Sequence, residues 1–108
     1  MQCPDRGDFI FLDFDPQAGT EQAGHRLAIV LSPKRFNEVT GYATVCPVSR
    51  TDRKWGFHIQ IPDDAVVGGV VIADQMKNLD WRTRNARIAG QAPNNLVNRV
   101  VKVIHTYI

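Results

Sequence analysis

The sequence lacks the features that would place it in a membrane or outside the cell. Its apolar runs all fall short of the roughly 20 residues that a membrane-spanning helix needs. The first residues, MQCPDR, are polar and include an acid, so they do not have the pattern of a secretion signal. Two cysteines, Cys3 and Cys46, form no paired motif, and we expect both to be free thiols, with Cys46 in a core strand. These absences predict a cytoplasmic protein with no membrane partner.

The motifs that hold nucleotides or metals are absent as well. The chain contains no GxxxxGK[ST], GxGxxG, HExxH or CxxC segment. Its three histidines, His25, His58 and His105, share no ligand spacing, so we expect neither a metal site nor a cofactor. His58 lies in an alternating apolar segment, and we expect it to be a structural histidine with its hydrogen bonds satisfied. His105 is expected on the last helix, exposed or partly buried.

What is present is the material for one small domain, residues 1–108. With 44% hydrophobic and 22% charged residues, the 108-residue chain is neither disordered nor extreme in composition. A chain of this length buries roughly two-thirds of its unfolded surface, enough for a core without metal or disulfide support. No repeat, low-complexity stretch or linker divides it.

Charge is distributed unevenly along the chain, although the net charge is only +2. Residues 1–20 and 61–80 each carry an excess of acids, whereas residues 81–108 contain five basic residues and no acid. Nine of the thirteen basic residues are arginine, whose forked guanidinium suits contacts with phosphate. The pattern permits a local basic groove and therefore nucleic-acid binding, without establishing it.

Hydrophobic patterning predicts an α+β fold that is mostly β. Short apolar segments separated by turn residues predict strands, and Ser32 followed by Pro33 predicts the N-cap of a short helix ending near Asn37. Pro93 is expected to open a terminal helix whose apolar face carries Leu96, Val97, Val100, Val103, Ile104 and Tyr107. The strands are predicted over residues 7–15, 27–31, 42–49, 55–61, 66–73 and 84–89, with Pro47 marking an edge or a bulge. The whole predicts a small barrel-like sheet capped by helices.

One loop combines groups of different chemistry. The segment GTEQAGHR, residues 19–26, places the Glu21 carboxylate, the His25 imidazole and the Arg26 guanidinium between two predicted strands. A glycine-bearing loop held by a rigid sheet is a common way to build a site, although Glu21 and Arg26 can equally form a solvated ion pair.

Three segments give the chain a resemblance to the MazF/PemK family of toxins from bacterial toxin–antitoxin pairs. They are GDFIFLDFDPQAGTEQAGHRLAIVLSP, TVCPVS and GGVVIADQMKNLDWRTRNARIAG, and they keep their order over nearly the whole chain. The resemblance implies an SH3-like small barrel, a homodimer, and metal-independent, sequence-selective cleavage of single-stranded RNA. It also implies a cognate antitoxin whose C-terminal tail lies across the RNA-binding face.

Such cleavage uses the 2′-hydroxyl of the RNA as the nucleophile against the adjacent phosphate. The protein must accept the hydroxyl proton, stabilise charge on the phosphate and assist departure of the 5′-oxygen. The products are then a 2′,3′-cyclic phosphate and a 5′-hydroxyl, and DNA cannot react.

The resemblance also selects catalytic candidates. Arg26 matches the arginine of the family's GxRP-type segment, although Leu27 here replaces the usual proline. We expect Arg26 to stabilise phosphate charge, since a guanidinium gives up its proton reluctantly. Ser49, at the strand end where the family has Thr or Ser, is expected to donate to a phosphate oxygen or orient Arg26. Glu21 is expected to accept the 2′-hydroxyl proton, read a base edge or pair with Arg26, and His25 to assist proton transfer.

Substrate-binding candidates lie in two loops and one later segment. Basic residues beside an aromatic ring can follow a single strand while the ring stacks on a base. The family's loops that flank the RNA groove correspond to residues 15–25 and 50–55. Asp74 matches an aspartate that is catalytic in the plasmid-borne branch, but the arginine two residues earlier is Ile72 here, which favours a structural or dimer-groove role. The binding candidates are Thr20, Gln22, Arg50, Arg53, Lys54, Trp55, Asp74, Gln75 and Lys77.

Two other functions remain open from the sequence. A related toxin family with the same fold, of CcdB type, poisons gyrase without nuclease chemistry, and a small barrel can also be a non-catalytic binding module. The combination of Glu21, Arg26 and Ser49 favours the endoribonuclease, since a pure binding protein has no need of it.

Overall fold

An antiparallel sheet forms the frame of the molecule. Over the residues that the computed structural model describes, 2–14, 24–52 and 56–108, the chain forms seven strands and two α-helices. The strands are β1 (Asp8–Asp13), β2 (His25–Val30), β3 (Tyr42–Ser49), β4 (His58–Gln60), β5 (Val70–Ile72), β6 (Lys77–Asp80) and β7 (Arg87–Gln91). The helices are α1 (Lys34–Thr40) and α2 (Leu96–Ile104), and a 3₁₀ turn covers Ala73–Gln75. The predicted class, α+β and mostly β with a C-terminal helix, is confirmed.

Strand β3 lies at the centre of the sheet. The strand order is β4-β5-β3-β2-β1-β7, and β6 pairs with the first half of β3. On this side β3 pairs with β6 up to Val45 and with β5 from Val48 onward. Pro47 lies between these two pairings and opposite Ala28 of β2. Of the edge or bulge predicted at Pro47, the edge is wrong, because β3 has neighbouring strands on both sides. The missing N–H of Pro47 is accommodated where β3 changes from one neighbour to the other.

Side chains on the two faces of the sheet enter two separate apolar clusters. Successive side chains of a strand point to opposite faces, so Ile29 joins one cluster while Ala28 and Val30 join the other. The first cluster contains Cys46 and is covered by α2. The second contains Trp81 and the alternate residues of β1. The prediction of Cys46 as a free thiol in a core strand is confirmed, and Cys3 is free as well.

Helix α2 packs against the first cluster through the predicted apolar face. Four of its residues are buried, Leu96, Val97, Val100 and Ile104, whereas Val103 is half-buried. Tyr107 lies beyond the helix, partly exposed, with its hydroxyl donating to the Ala73 carbonyl at 2.6 Å. The helix begins at Leu96 instead of Pro93, because the Pro93 carbonyl accepts the Leu96 N–H in a preceding turn.

Helix α1 is capped differently from the prediction. Its N-cap is Pro33, without a side-chain cap, and it continues to Thr40 before Gly41 in the left-handed conformation. The Ser32 hydroxyl is engaged elsewhere: it donates to Asn37 Oδ1 at 2.6 Å and accepts the Thr44 N–H. Asn37 is fully buried and donates to the carbonyls of Pro4 and Ser32, which ties the helix to the N-terminal segment.

The remaining strands are shorter than their apolar runs or shifted along the chain. The strand predicted over residues 55–61 forms only at His58–Gln60, as β4. Residue 55, at its start, lies outside the described part of the chain. The strand predicted over residues 66–73 forms only at Val70–Ile72, as β5. The strand predicted over 84–89 is displaced to Arg87–Gln91, and β6 was not predicted. No helix in the described part of the chain is long and apolar enough to span a membrane.

Candidate functional site

A cavity of about 560 Å³ opens where β2 begins and β3 ends. Four of the residues selected from the sequence line it: His25, Arg26, Ser49 and Arg50. Its other walls come from the exposed ring of Phe11 in β1 and from residues 66–68, which precede β5. The sheet therefore brings together side chains that are more than twenty residues apart in the chain.

The His25 ring is fixed at one wall of this cavity. Asp13 and His25 are direct cross-strand neighbours in the β1–β2 pair, and Asp13 Oδ1 lies 2.8 Å from His25 Nδ1. The Phe11 ring stacks on the imidazole at a centroid distance of 6.0 Å and an interplanar angle of 11°. The His25 side chain remains 41% exposed, so a ligand can still reach it.

Asp13 has a second set of partners that the sequence did not reveal. The Asn85 side-chain amide donates to Asp13 Oδ2 at 3.2 Å, and Arg84 donates to the Asp13 carbonyl at 2.9 Å. The hydrogen bond with His25 is the main reason that the pKa of Asp13 lies below its usual value, and the Asn85 amide lowers it further. Asp13 is therefore an ionised carboxylate at neutral pH. Only the strand register, which pairs position 13 with position 25, could have identified it.

Arg26 and Ser49 both line the cavity. The Arg26 guanidinium makes no hydrogen bond or ion pair with any other residue in the described ranges, and its N–H groups are the kind of donor that a phosphate accepts from. The Ser49 Oγ accepts the Thr51 N–H at 3.1 Å, and its own hydrogen can be donated elsewhere. Both are the types of group that bind a phosphate oxygen.

The end of β3 that carries Ser49 is packed against a glycine. Gly69 has a φ of +112°, and a Cβ at this position would overlap the Ser49 carbonyl oxygen. A side chain at position 69 would be strained in its backbone and would displace Ser49. The absence of a Cβ therefore lets the segment before β5 close one side of the cavity.

A second cavity of about 500 Å³ adjoins the first at His25. It is lined by Asn85, Arg87 and Ile88 from the segment around β7, and by Gln2. The His25 ring thus separates two cavities, and an arginine contributes to each of them.

Three other predicted binding residues, Asp74, Gln75 and Lys77, are not among the described residues that line either cavity. Asp74 and Gln75 lie in the 3₁₀ turn, and Lys77 begins β6 opposite Val45. Six predicted site residues lie outside the described part of the chain: Thr20, Glu21, Gln22, Arg53, Lys54 and Trp55.

Among the described residues, no group of three or more histidine, cysteine, aspartate or glutamate side chains could hold a metal ion. His58 is mostly buried, as a structural histidine would be, but its Nδ1 has no hydrogen-bond partner among the described residues and lies 3.8 Å from Asp52 Oδ1. The prediction that its hydrogen bonds are satisfied is therefore wrong for this nitrogen. His105 is exposed at the end of α2, as predicted.

Comparisons with known proteins agree with this fold. Residues 5–108 match the family model of PemK-like, MazF-like toxins of type II toxin–antitoxin systems. The chain belongs to this family of toxins.

Individual relatives give the same result. The chain is 43% identical over 94 residues to the endoribonuclease toxin MazF of Escherichia coli strain K12, covering 86% of this chain and 84% of that protein. It is 30% identical over 106 residues to the endoribonuclease PemK of Escherichia coli, covering 94% and 80%. The crystal structure of MazF from Deinococcus radiodurans superposes with a TM-score of 0.93 at 40% identity over 98% of this chain and 96% of that one. The predicted small-barrel fold of the MazF type is thereby confirmed.

Proposed function

We propose that this protein is an endoribonuclease toxin that cuts single-stranded RNA at specific sequences and needs no metal ion. The observation that carries the proposal is the cavity shared by Arg26, Ser49 and His25, which combines a cation, a hydroxyl donor and an imidazole. The relatives named MazF and PemK are endoribonucleases, which supports the same activity here. Cleavage of messenger RNA would stop translation and growth.

The reaction is a transfer within the RNA. The 2′-oxygen attacks the adjacent phosphorus, its proton leaves to a base, and the bond from phosphorus to the 5′-oxygen breaks as that oxygen gains a proton. A 2′,3′-cyclic phosphate and a 5′-hydroxyl result. Arg26 stabilises the negative charge on the phosphate oxygens, and Ser49 donates a hydrogen bond to one of them. Glu21 is our candidate for the base.

Binding of the strand involves groups on both sides of the cleaved bond. Arg50, which lines the cavity, would contact the RNA backbone, and Arg53, Lys54 and Trp55 follow it closely in the sequence. Thr20 and Gln22 flank Glu21 in the sequence before His25. We assign Asp74, Gln75 and Lys77 to a separate surface near the dimer groove.

The proposal includes two protein partners. The structure of MazE–MazF from Deinococcus radiodurans, with a TM-score of 0.87 at 40% identity, covers 98% of this chain and 96% of the matched chain. By analogy, a cognate antitoxin would cover the RNA-binding face of this protein with its C-terminal tail. We further propose that residues 1–108 form a single domain that acts as a homodimer in the cytoplasm.

The test uses the purified chain, a long unstructured RNA and excess EDTA, with mapping of the new ends. We expect discrete cuts bearing 5′-hydroxyl ends. Arg26→Ala is expected to lower the rate by at least about 100-fold, the typical loss when one charge-stabilising donor is removed. Arg99→Ala, which removes an exposed arginine of α2, is the matched control and should cut normally.

Two results would contradict the proposal. A folded chain that cuts no RNA but inhibits DNA supercoiling by gyrase would be a gyrase poison of CcdB type. A folded chain that does neither would be a binding module.

A further inference from the structure

The contact between Asp13 and His25 determines which nitrogen of the imidazole is available to a substrate. Asp13 is ionised, and an ionised carboxylate only accepts hydrogen bonds. The hydrogen at the 2.8 Å contact therefore belongs to His25 Nδ1. Nε2 is the remaining nitrogen, and in the protonated ring it carries the second hydrogen.

The ring is also prevented from turning away. Phe11 stacks along its face, and Asn85 holds the second carboxylate oxygen of Asp13. Asn85 is the described non-glycine residue with a positive φ, at 55°, a conformation that asparagine tolerates better than most residues. A carboxylate bound on both oxygens and an imidazole bound on one nitrogen form a fixed pair at the surface.

The position of the pair relates it to the leaving group. His25 lines both the cavity of Arg26 and Ser49 and the cavity of Asn85 and Arg87. A strand with its phosphate at Arg26 and Ser49 that runs on into the second cavity would pass the imidazole with its 5′-oxygen.

We propose that His25 is the general acid of the reaction and that Asp13 is the positioning residue that holds it. This inference rests on the proposed ribonuclease function. In this step the Nε2–H bond of the imidazolium breaks and an O5′–H bond forms, while the bond from phosphorus to O5′ breaks and the bond from phosphorus to O2′ forms. The 2′-hydroxyl proton passes to the base, for which Glu21 is the candidate, and His25 is reprotonated from solvent.

The charged groups around the imidazole fit this role. Asp13 faces it from β1, and its negative charge balances the imidazolium. Arg26 is its neighbour in β2, Arg84 binds the Asp13 carbonyl, and Arg87 lines the second cavity beside it. Arg26 and Arg87 would balance the charge of phosphates bound in the two cavities, which would leave the imidazole to act at the leaving oxygen.

The test uses a substrate whose leaving atom needs no proton, so that its cleavage does not depend on a general acid. Two oligonucleotides carry the cleavage sequence mapped on long RNA, one unmodified and one with sulfur in place of the scissile 5′-oxygen. A thiolate leaves without protonation, because its conjugate acid is far stronger than an alcohol. The variants are His25→Gln and Asp13→Asn, with His105→Gln and Asp64→Asn as matched controls at exposed positions.

On the oxygen substrate we expect His25→Gln to lose about 10²–10⁴-fold in kcat, the usual contribution of a general acid. Asp13→Asn should lose less than His25→Gln, because the imidazole is still present but is no longer held by the carboxylate. On the sulfur substrate the kcat of both variants should lie within about threefold of that of the unsubstituted chain, a difference much smaller than the losses on the oxygen substrate. Both controls should match the unsubstituted chain on either substrate.

The ratio of the cleavage rates on the two substrates separates this role from a structural one, because partial unfolding lowers both rates by the same factor. Equal losses on oxygen and sulfur, or no loss in His25→Gln on oxygen, would overturn the assignment of His25 and Asp13 while leaving the ribonuclease function intact. If the unsubstituted chain cuts neither the long RNA nor the oligonucleotides, the proposed function itself fails.

Discussion

Two aspartates at opposite ends of β1 experience opposite environments. Asp8 is only 6% exposed, and burial raises its pKa despite the hydrogen bond that its carboxylate accepts from the Asp5 N–H. Asp13 is exposed at the other end, and its hydrogen bond with His25 lowers its pKa. Folding therefore disfavours the charged form of one carboxyl and favours that of the other.

The two carboxyls should affect the pH dependence of stability with opposite signs. Asp13 contributes stability that is present above the unfolded pKa, about 3.9, and is lost as the pH falls through the lowered folded pKa. Asp8 contributes stability that is present below the unfolded pKa and is lost as the pH rises through the raised folded pKa.

We therefore expect Asp8→Asn to raise the free energy of unfolding at pH 7, because the amide oxygen can still accept the Asp5 N–H without carrying a charge. Asp13→Asn should lower it at the same pH. The Asp8 difference should shrink as the pH falls below the unfolded pKa, and the Asp13 difference should shrink as the pH falls further, through its lowered folded pKa. Urea unfolding at a series of pH values measures this. Changes of the same sign in the two variants would contradict it.

At the residue scale, the sequence identifies site residues whose chemical role follows from the type of side chain. His25, Arg26, Ser49 and Arg50 were selected from the sequence and the resemblance, and the fold places all four at one cavity. Asp13 was missed because its role depends on a cross-strand contact, which a residue type alone does not specify. Ser32 was misassigned for the same reason, since its hydroxyl binds the distant Thr44 N–H and the Asn37 side chain.

At the scale of elements, the end of β3 depends on the segment before β5. Ser49 pairs with Val70, and the backbone at Gly69 passes so close to the Ser49 carbonyl that only glycine fits. Gly68, immediately before it, has open space around the position of a Cβ and no unusual φ. The two adjacent glycines therefore offer a matched pair of substitutions.

We expect Gly69→Ala to destabilise the fold by about 1–3 kcal/mol, the usual cost of a strained backbone conformation, and to lower RNA cleavage through displacement of Ser49. Gly68→Ala should leave the free energy of unfolding nearly unchanged, because a Cβ there meets open space. Urea unfolding and the rate of cleavage of a mapped oligonucleotide measure the two effects. If both substitutions were tolerated equally, the close packing of Gly69 on Ser49 would not constrain the site.

Elements with a distinctive local pattern were predicted well from the sequence. The bounds of β3 match the prediction at both ends, and the α2 face was found from its three- and four-residue spacing. Strand β6 was missed because its four residues, KNLD, contain one buried side chain, Leu79, and derive their structure from pairing with β3. Tertiary pairing of this kind overrides a weak local pattern.

At the scale of the whole molecule, one sheet separates two apolar clusters, and each cluster has a natural reporter. Cys46 is fully buried in the first cluster, and burial raises its pKa to about 12. Since the thiolate is the reactive form, Cys46 is protected from thiol reagents until the cluster opens. Trp81 lies in the second cluster, with its indole N–H bonded to the Asn37 carbonyl.

Because β1, β2 and β3 contribute to both clusters, we expect the two to unfold together. The measurement uses a chain carrying Cys3→Ser and Trp55→Phe, so that each reporter is unique. Labelling of Cys46 and fluorescence of Trp81 should give the same urea midpoint, as two-state unfolding of a single domain requires. Two separated midpoints would show that the faces of the sheet unfold independently.

The pairing of Asp13 with His25 has a consequence for the entropy of substrate binding. An unrestrained side chain loses about 0.5–1.5 kcal/mol of conformational freedom when a ligand immobilises it. His25 is already held by Asp13 and Phe11, and the Ser49 hydroxyl already accepts the Thr51 N–H. For these two groups part of this loss occurs when the chain folds and not when the substrate binds. More of the binding energy of the substrate then remains to favour the transition state.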